Sequence, residues 1–182
     1  MGRQPSWRVV VFAGLVTLWL SVVPGHAVGE EYEIKAAFLY NFSKFVEWPE
    51  MALPSKAETF TICVIGDERM MQATSLTLQD KQVQGRTVVT RSLRSLDEAS
   101  ACQVLFVEAS AIDVAEWAGS LAKTLPILTV GESDRFIQKG GIIKLFVEDG
   151  KLRFEISPQA AARAQLKVSS KLLKLGRIVE AP

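Results

Sequence analysis

The chain reads as an α/β domain: a mostly parallel sheet flanked by helices on both faces, finished by a C-terminal antiparallel hairpin and closing helices. Three observations carry this. Short β-branched or apolar runs alternate with amphipathic helical stretches, the rhythm of βαβ units. Near the end that rhythm gives way to two alternating runs joined by Asp149-Gly150, a two-residue hairpin signal. No repeat, linker or low-complexity tract divides the chain, so residues 28–182 form one unit of ordinary domain size.

Residues 1–27 stand apart. Arg3 and Arg8 flank a basic segment, Val9 to Val23 is an uncharged apolar run broken only by Thr17 and Ser21, and Pro24 precedes Gly25-His26-Ala27. This is the layout of a secretory signal peptide, with cleavage expected after about Ala27. A membrane anchor is the competing reading, and the apolar run is short of the ~20 residues that a span needs. Cleavage removes His26, the single histidine. It also removes Arg3 and Arg8, taking 21 basic residues to 19 against 20 acidic ones. A near-neutral, mixed surface makes no electrostatic case for nucleic acid. Export points to the periplasm, and there the even count of cysteines, Cys63 and Cys102, reads as one disulfide. Two free buried thiols are the alternative.

The elements follow in order. Glu30-Glu31-Tyr32-Glu33 suits the first turn of a helix. Ile34, Ala37, Phe38, Phe42, Phe45 and Val46 then recur as a buried stripe. Pro49 and Pro54 bracket a loop, and Phe60 to Ile65 is a strand ended by Gly66-Asp67. Glu68 to about Leu78 is helical, with Met71, Ser75 and Leu78 on one side. Strands are expected at Thr87–Thr90, Cys102–Val107 and Pro126–Val130, with a helix at Ile112–Leu121.

The hairpin can be written out residue by residue. With Asp149-Gly150 as the turn, Glu148 faces Lys151, Val147 faces Leu152, Phe146 faces Arg153 and Leu145 faces Phe154. Lys144 then faces Glu155, and Ile143 faces Ile156. Ile143, Leu145, Val147, Leu152, Phe154 and Ile156 share one apolar face. The other carries Lys144 with Glu155, Glu148 with Lys151, and Phe146 beside Arg153. An aromatic among paired charges is either a partner anchor or packing beneath a covering helix. Ser157-Pro158 starts a helix. A break at Leu166-Lys167-Val168, with a fresh cap at Ser169-Ser170, splits the stretch to Val179 into two helices.

The inventory argues against an enzyme. Without histidine there is no Ser-His-Asp triad, no Cys-His pair and no imidazole ligand for zinc, so no catalytic, cofactor or metal residues are assigned. Glu132 with Asp134 is the one carboxylate pair placed where open sheets bind ligands, although helix capping explains it as well. Gly140-Gly141 marks a turn. Arg163, Lys167, Lys171, Lys174 and Arg177 are unopposed by any acid between Ser157 and Val179: a partner surface or a solvated face.

Three segments resemble one family. Ile34-Lys-Ala-Ala-Phe-Leu-Tyr-Asn-Phe-Ser-Lys-Phe-Val-Glu-Trp-Pro49 is similar to the opening signature of the YfiR family. Asp149-Gly-Lys-Leu-Arg-Phe-Glu-Ile156 and Leu166-Lys-Val-Ser-Ser-Lys-Leu-Leu-Lys-Leu-Gly-Arg-Ile-Val179 resemble its C-terminal signature. The resemblance implies a periplasmic regulator that binds and represses the sensor domain of an inner-membrane diguanylate cyclase, controlling cyclic di-GMP and biofilm formation. It also implies sequestration by an outer-membrane lipoprotein. Cys63 and Cys102 match a disulfide of that family, whereas a second bridge near the hairpin has no cysteines here. The expected partner surface is Lys144, Phe146, Arg153 and Glu155, and a homodimer is left open. A ligand-binding module signalling to a histidine kinase or another membrane receptor is the alternative.

Overall fold

The computed structural model describes Gly2, residues 25–110, Leu121 and residues 125–180. The apolar segment of the expected signal peptide and the expected helix at Ile112–Leu121 (save Leu121 itself) lie outside these residues. Among the described residues, no helix is long and apolar enough to cross a membrane.

The chain opens with α1 (Gly25–Lys44) and continues through β1 (Val46–Glu47), β2 (Thr59–Ile65), α2 (Glu68–Leu78), β3 (Gln82–Val83) and β4 (Arg86–Ser92). A 3-10 turn over Leu96–Ala101 leads to β5 (Val104–Val107), β6 (Leu128–Gly131), β7 (Ile143–Glu148) and β8 (Lys151–Ile156). Then come α3 (Pro158–Arg163), β9 (Lys167–Val168), α4 (Ser170–Leu173) and β10 (Arg177–Ile178). Eight strands form one sheet in the order β10-β8-β7-β6-β5-β2-β4-β3. The run β4-β2-β5-β6-β7 is parallel throughout, while β3 pairs antiparallel with β4 and β8 antiparallel with β7. From β2 the chain crosses through α2 to β4 on one side and returns to β5 on the other. The α/β expectation, with a mostly parallel sheet and a late hairpin, therefore holds.

Alternate residues of the sheet feed two apolar layers. Ile62, Val64, Val104 and Phe106 pack with Leu39 and Phe42 of α1 and Met70 and Leu78 of α2. Cys63, Ile65, Leu105 and Val107 pack on the opposite side with Leu93, Ala99, Ile127 and Phe136, and Leu121 lies against that layer. Both long described helices thus cover the same face.

Two helical faces are rotated from the sequence expectation. On α1 the buried positions are Tyr32, Lys35, Ala36, Leu39, Phe42 and Ser43, whereas Ile34 is 43% exposed, and Val46, also buried, lies in β1. Lys35 enters the buried face because two carboxylates meet it there. On α2 the buried residues are Met70, Thr74 and Leu78; Met71 is half-buried against the same core, and Ser75 is exposed. Thr74 tolerates burial because its hydroxyl donates to the Met70 carbonyl at 2.7 Å.

The hairpin has the expected register, pair for pair from Ile143↔Ile156 to Glu148↔Lys151. Asp149 and Gly150 both take positive φ, 51° and 68°, as a type I′ turn requires. Ile143, Leu145, Phe154 and Ile156 are buried, but Val147 at the tip of the apolar face is 62% exposed. After the hairpin, Ser157 caps α3 with Pro158 at its first position, and Ser169 caps α4. The second closing helix ends at Leu173, much earlier than Val179, because Arg177 and Ile178 pair in parallel with Glu155 and Ile156. β1 pairs with β9, Val46 opposite Val168, and the Ser169 N–H donates to the Phe45 carbonyl at 2.8 Å. The end of α1 is thereby tied to the closing segment.

Candidate functional site

Lys144, Phe146, Arg153 and Glu155 lie together on one face of β7–β8, as alternation requires. Lys144 Nζ is 3.3 Å from Glu155 Oε2, with both side chains mostly buried. Arg153 Nε lies 3.5 Å from Glu148 Oε2. Arg177, read from sequence only as one of several basic residues, is the hub of this face. Its Nη2 is 2.9 Å from Glu148 Oε1, and its Nη1 is 3.3 Å from Glu155 Oε1. The expected Glu148–Lys151 pair is a register neighbour only: the Glu148 carboxylate forms its ion pairs with the longer, forked arginine side chains.

Phe146 is half-buried. What lies over its ring is cationic: Lys144 Nζ at 5.5 Å and Arg177 Cζ at 5.1 Å from the ring centre. Position over the ring face is the attractive geometry for a cation.

Beside this face, where β8 runs past the two residues of β10, a cavity of about 740 Å³ opens. Phe38, Phe42 and Phe45 of the first signature segment line it, with Leu152 and Phe154 of the hairpin and Leu172, Leu175 and Arg177 of the last segment. Phe42 and Phe154 meet edge-on at 5.0 Å between ring centres. Gly176 is required here, since a Cβ would stand 2.3 Å from the Phe154 ring. The three segments that carry the family resemblance therefore wall one groove.

A second polar cluster lies at the carboxyl ends of β2, β5 and β6, and its one trace in the sequence is Lys35, a charge set within the apolar pattern of α1. The Tyr32 hydroxyl lies 3.1 Å from Asp67 Oδ2 and 3.2 Å from Glu108 Oε1. Burial first, then the hydrogen bond to Asp67 and the nearby Glu108 charge, push the phenol up to about 12. Asp67 caps α2 by accepting the Met70 N–H at 2.8 Å, and that bond leads the lowering of its carboxyl pKa. Glu108 accepts the Asp67 N–H, and Gly66 leaves room for it: a Cβ there would be 2.6 Å from Glu108 Oε2. Lys35 Nζ is 2.7 Å from both Glu31 and Glu132. Its burial works to lower the pKa, but the two carboxylates outweigh it and hold the ammonium above its usual value.

Glu132 and Asp134 do not form a pair. Glu132 serves Lys35 and accepts the Ala109 N–H at 3.3 Å, while Asp134 is fully exposed, 3.9 Å from Lys144. Gly141 has a role beyond the expected turn: with Gly131 it sandwiches Phe136, whose ring would lie 2.3–2.4 Å from a Cβ at either glycine. Cys63 and Cys102 are joined in a buried disulfide with 5.9 Å between their Cα atoms. Among the described residues, no group of histidine, cysteine, aspartate or glutamate is arranged to hold a metal.

The model of the YfiR/HmsC-like family matches residues 32–177. The chain belongs to the YfiR/HmsC-like family. No curated protein matches it. Among solved structures it is similar to a conserved domain protein from Vibrio cholerae O1 biovar El Tor str. N16961, with a TM-score of 0.53 and 12% identity. That likeness covers 83% of this chain and 60% of the other, so the match spans about three fifths of that protein, and at this identity the shared property is the fold.

Proposed function

We propose that this YfiR/HmsC-like protein is exported, loses residues 1–27, and acts in the periplasm by binding the sensor domain of an inner-membrane diguanylate cyclase and repressing it. The observation that carries this reading is the family match over residues 32–177, whose signature segments converge on one exposed surface. The proposed contact surface is the face of Lys144, Phe146, Arg153 and Glu155, together with Arg177, whose guanidinium lies over the Phe146 ring. A ring under two cations, flanked by ion pairs, has the composition enriched at binding hot spots. Family character also fits a regulatory rather than catalytic role. An outer-membrane lipoprotein competing for the protein is the proposed release mechanism.

Deleting the gene in its own host is the test. Cellular cyclic di-GMP is expected to rise and to fall again when the full chain is restored, with the recovered periplasmic protein beginning near Val28. A version lacking residues 1–27 is expected not to restore repression. Cyclic di-GMP levels indifferent to the gene would reject the reading.

A further inference from the structure

We propose that the groove walled by α1, β8 and the α4–β10 connection seats an acidic, amphipathic segment of the protein partner. Apolar side chains enter between Phe42, Phe154 and Leu172, and carboxylates lie on Arg153 and Arg177. This deepens the reading of the hairpin as a partner surface and rests on it.

The apolar half of the argument comes from surface that the fold leaves uncovered. The hairpin's apolar face runs beyond α1, so Val147 is 62% exposed while Leu145, two residues earlier, is 1% exposed. Leu175, on the facing connection, is 72% exposed. Leu175 lines the groove, and Val147 is the cross-strand partner of Leu152, which also lines it. A solute confined to the cavity of about 740 Å³ leaves them bare, whereas a polypeptide segment lying along the groove covers floor and rim together.

The rim supplies the sign of the charge. Arg153, Arg177 and Glu148 are the charged residues lining the groove, two cations to one anion, and beside the lining in sequence stand exposed Lys151 and Lys174 against exposed Asp149, four cations to two anions in all. Glu148 already faces both arginines, but Arg153 meets it only through Nε at 3.5 Å and stays half exposed. A guanidinium has five donors and binds carboxylates in a forked geometry. The groove therefore welcomes further carboxylates and opposes further cations.

The test uses two labelled synthetic peptides, one alternating glutamate with leucine and phenylalanine, the other with lysine replacing every glutamate. Binding to the exported chain with its disulfide intact is followed by fluorescence anisotropy. The glutamate peptide is expected to bind at least about tenfold more tightly than the lysine peptide, and that margin to shrink as salt rises from about 20 to about 200 mM. Arg153→Glu should cost the glutamate peptide about tenfold, and Leu175→Ser should weaken both peptides alike. Both positions are exposed, so thermal melts are expected to match the parent. Equal affinity for the two peptides, or binding to phosphatidylglycerol vesicles without binding to either peptide, would overturn the proposal. Its failure is separable from that of the regulatory reading. Peptides that do not bind, together with Phe146→Ala raising cyclic di-GMP, sink the groove assignment alone. Peptide binding as expected, with cyclic di-GMP unaffected by the protein, sinks the regulatory reading alone.

Discussion

Arg177 lies across the ring of Phe146, 5.1 Å from its centre, and reaches from there to both Glu148 and Glu155. A residue of the final two-residue strand thus closes over an aromatic from the hairpin. The arrangement makes the candidate surface a product of tertiary structure, since 31 positions separate the two residues in sequence.

Phe146→Ala follows directly. The ring is half-buried and lies off the core face, so its loss should cost little beyond partial burial and two cation–ring contacts, about 1–2 kcal/mol in all. For a domain of this size that corresponds to a melting shift of roughly 2–8 °C. Repression of the membrane partner should be lost in the folded variant. A collapse of the melting point by tens of degrees would assign the ring to packing instead.

Glu155 is the more structural member of the same face. It accepts from Arg177 and pairs with Lys144, whose side chain is only 13% exposed. Removing the carboxylate leaves a mostly buried ammonium with Asp134 at 3.9 Å as its nearest acid, so Glu155→Ala is expected to cost about 1–3 kcal/mol. Lys144→Met with Glu155→Leu should recover much of that, because matched apolar residues remove the unpaired charge. Urea midpoints of the two variants decide the matter.

The disulfide provides a third check. Cys63 lies in β2, and Cys102 leads into β5, which pairs with it directly. Closing 39 positions restricts the unfolded chain by about 4 kcal/mol in the chain-entropy model. The double variant Cys63→Ala, Cys102→Ala should lose stability of that order in denaturant. Thiol labelling of denatured protein from the periplasm should find no free cysteine.

The hairpin was fully legible because two local signals agree: Asp-Gly demands the turn, and strict alternation then fixes every partner. Helix faces were less so. Apolar periodicity assigns Ile34 inward, yet Ile34 is exposed and Lys35 is buried in its place, held by ion pairs to Glu31 and to Glu132, 97 positions away. β10 left no trace, since a two-residue strand has no period. The groove was equally hidden: its aromatics were read as ordinary core, and only the meeting of α1 with the closing segment leaves them open on one side.

Gly131→Ala tests packing on the other face of the sheet. Its Cβ would stand 2.4 Å from the fully buried ring of Phe136, which Gly141 holds from the opposite side. The ring has nowhere to retreat, so overpacking should cost about 1–3 kcal/mol or more. Adding Phe136→Leu should relieve the clash. A double variant less stable than the sum of the two single changes would show that the glycine serves the strand rather than the ring.

The polar cluster beneath α1 sets the pH dependence. Asp67 has a lowered carboxyl pKa, led by the Met70 N–H, so the folded state favours its ionised form. Its stabilisation is present above the ordinary carboxylate range and is lost as pH falls through that range and below. Tyr32 and Lys35 act at the other end. The phenol is raised to about 12 and the ammonium is also raised, so the folded state holds both protons more tightly than the unfolded chain does. Their stabilisation is complete below pH ~10 and declines as pH climbs through the raised values. Urea midpoints should therefore form a plateau at neutral pH with a fall on each side. Tyr32→Phe should flatten part of the alkaline fall and leave the remainder to Lys35, while Asp67→Asn should reduce the acid fall. An alkaline limb unchanged by Tyr32→Phe would show that the hydroxyl shared between Asp67 and Glu108 does not couple to folding.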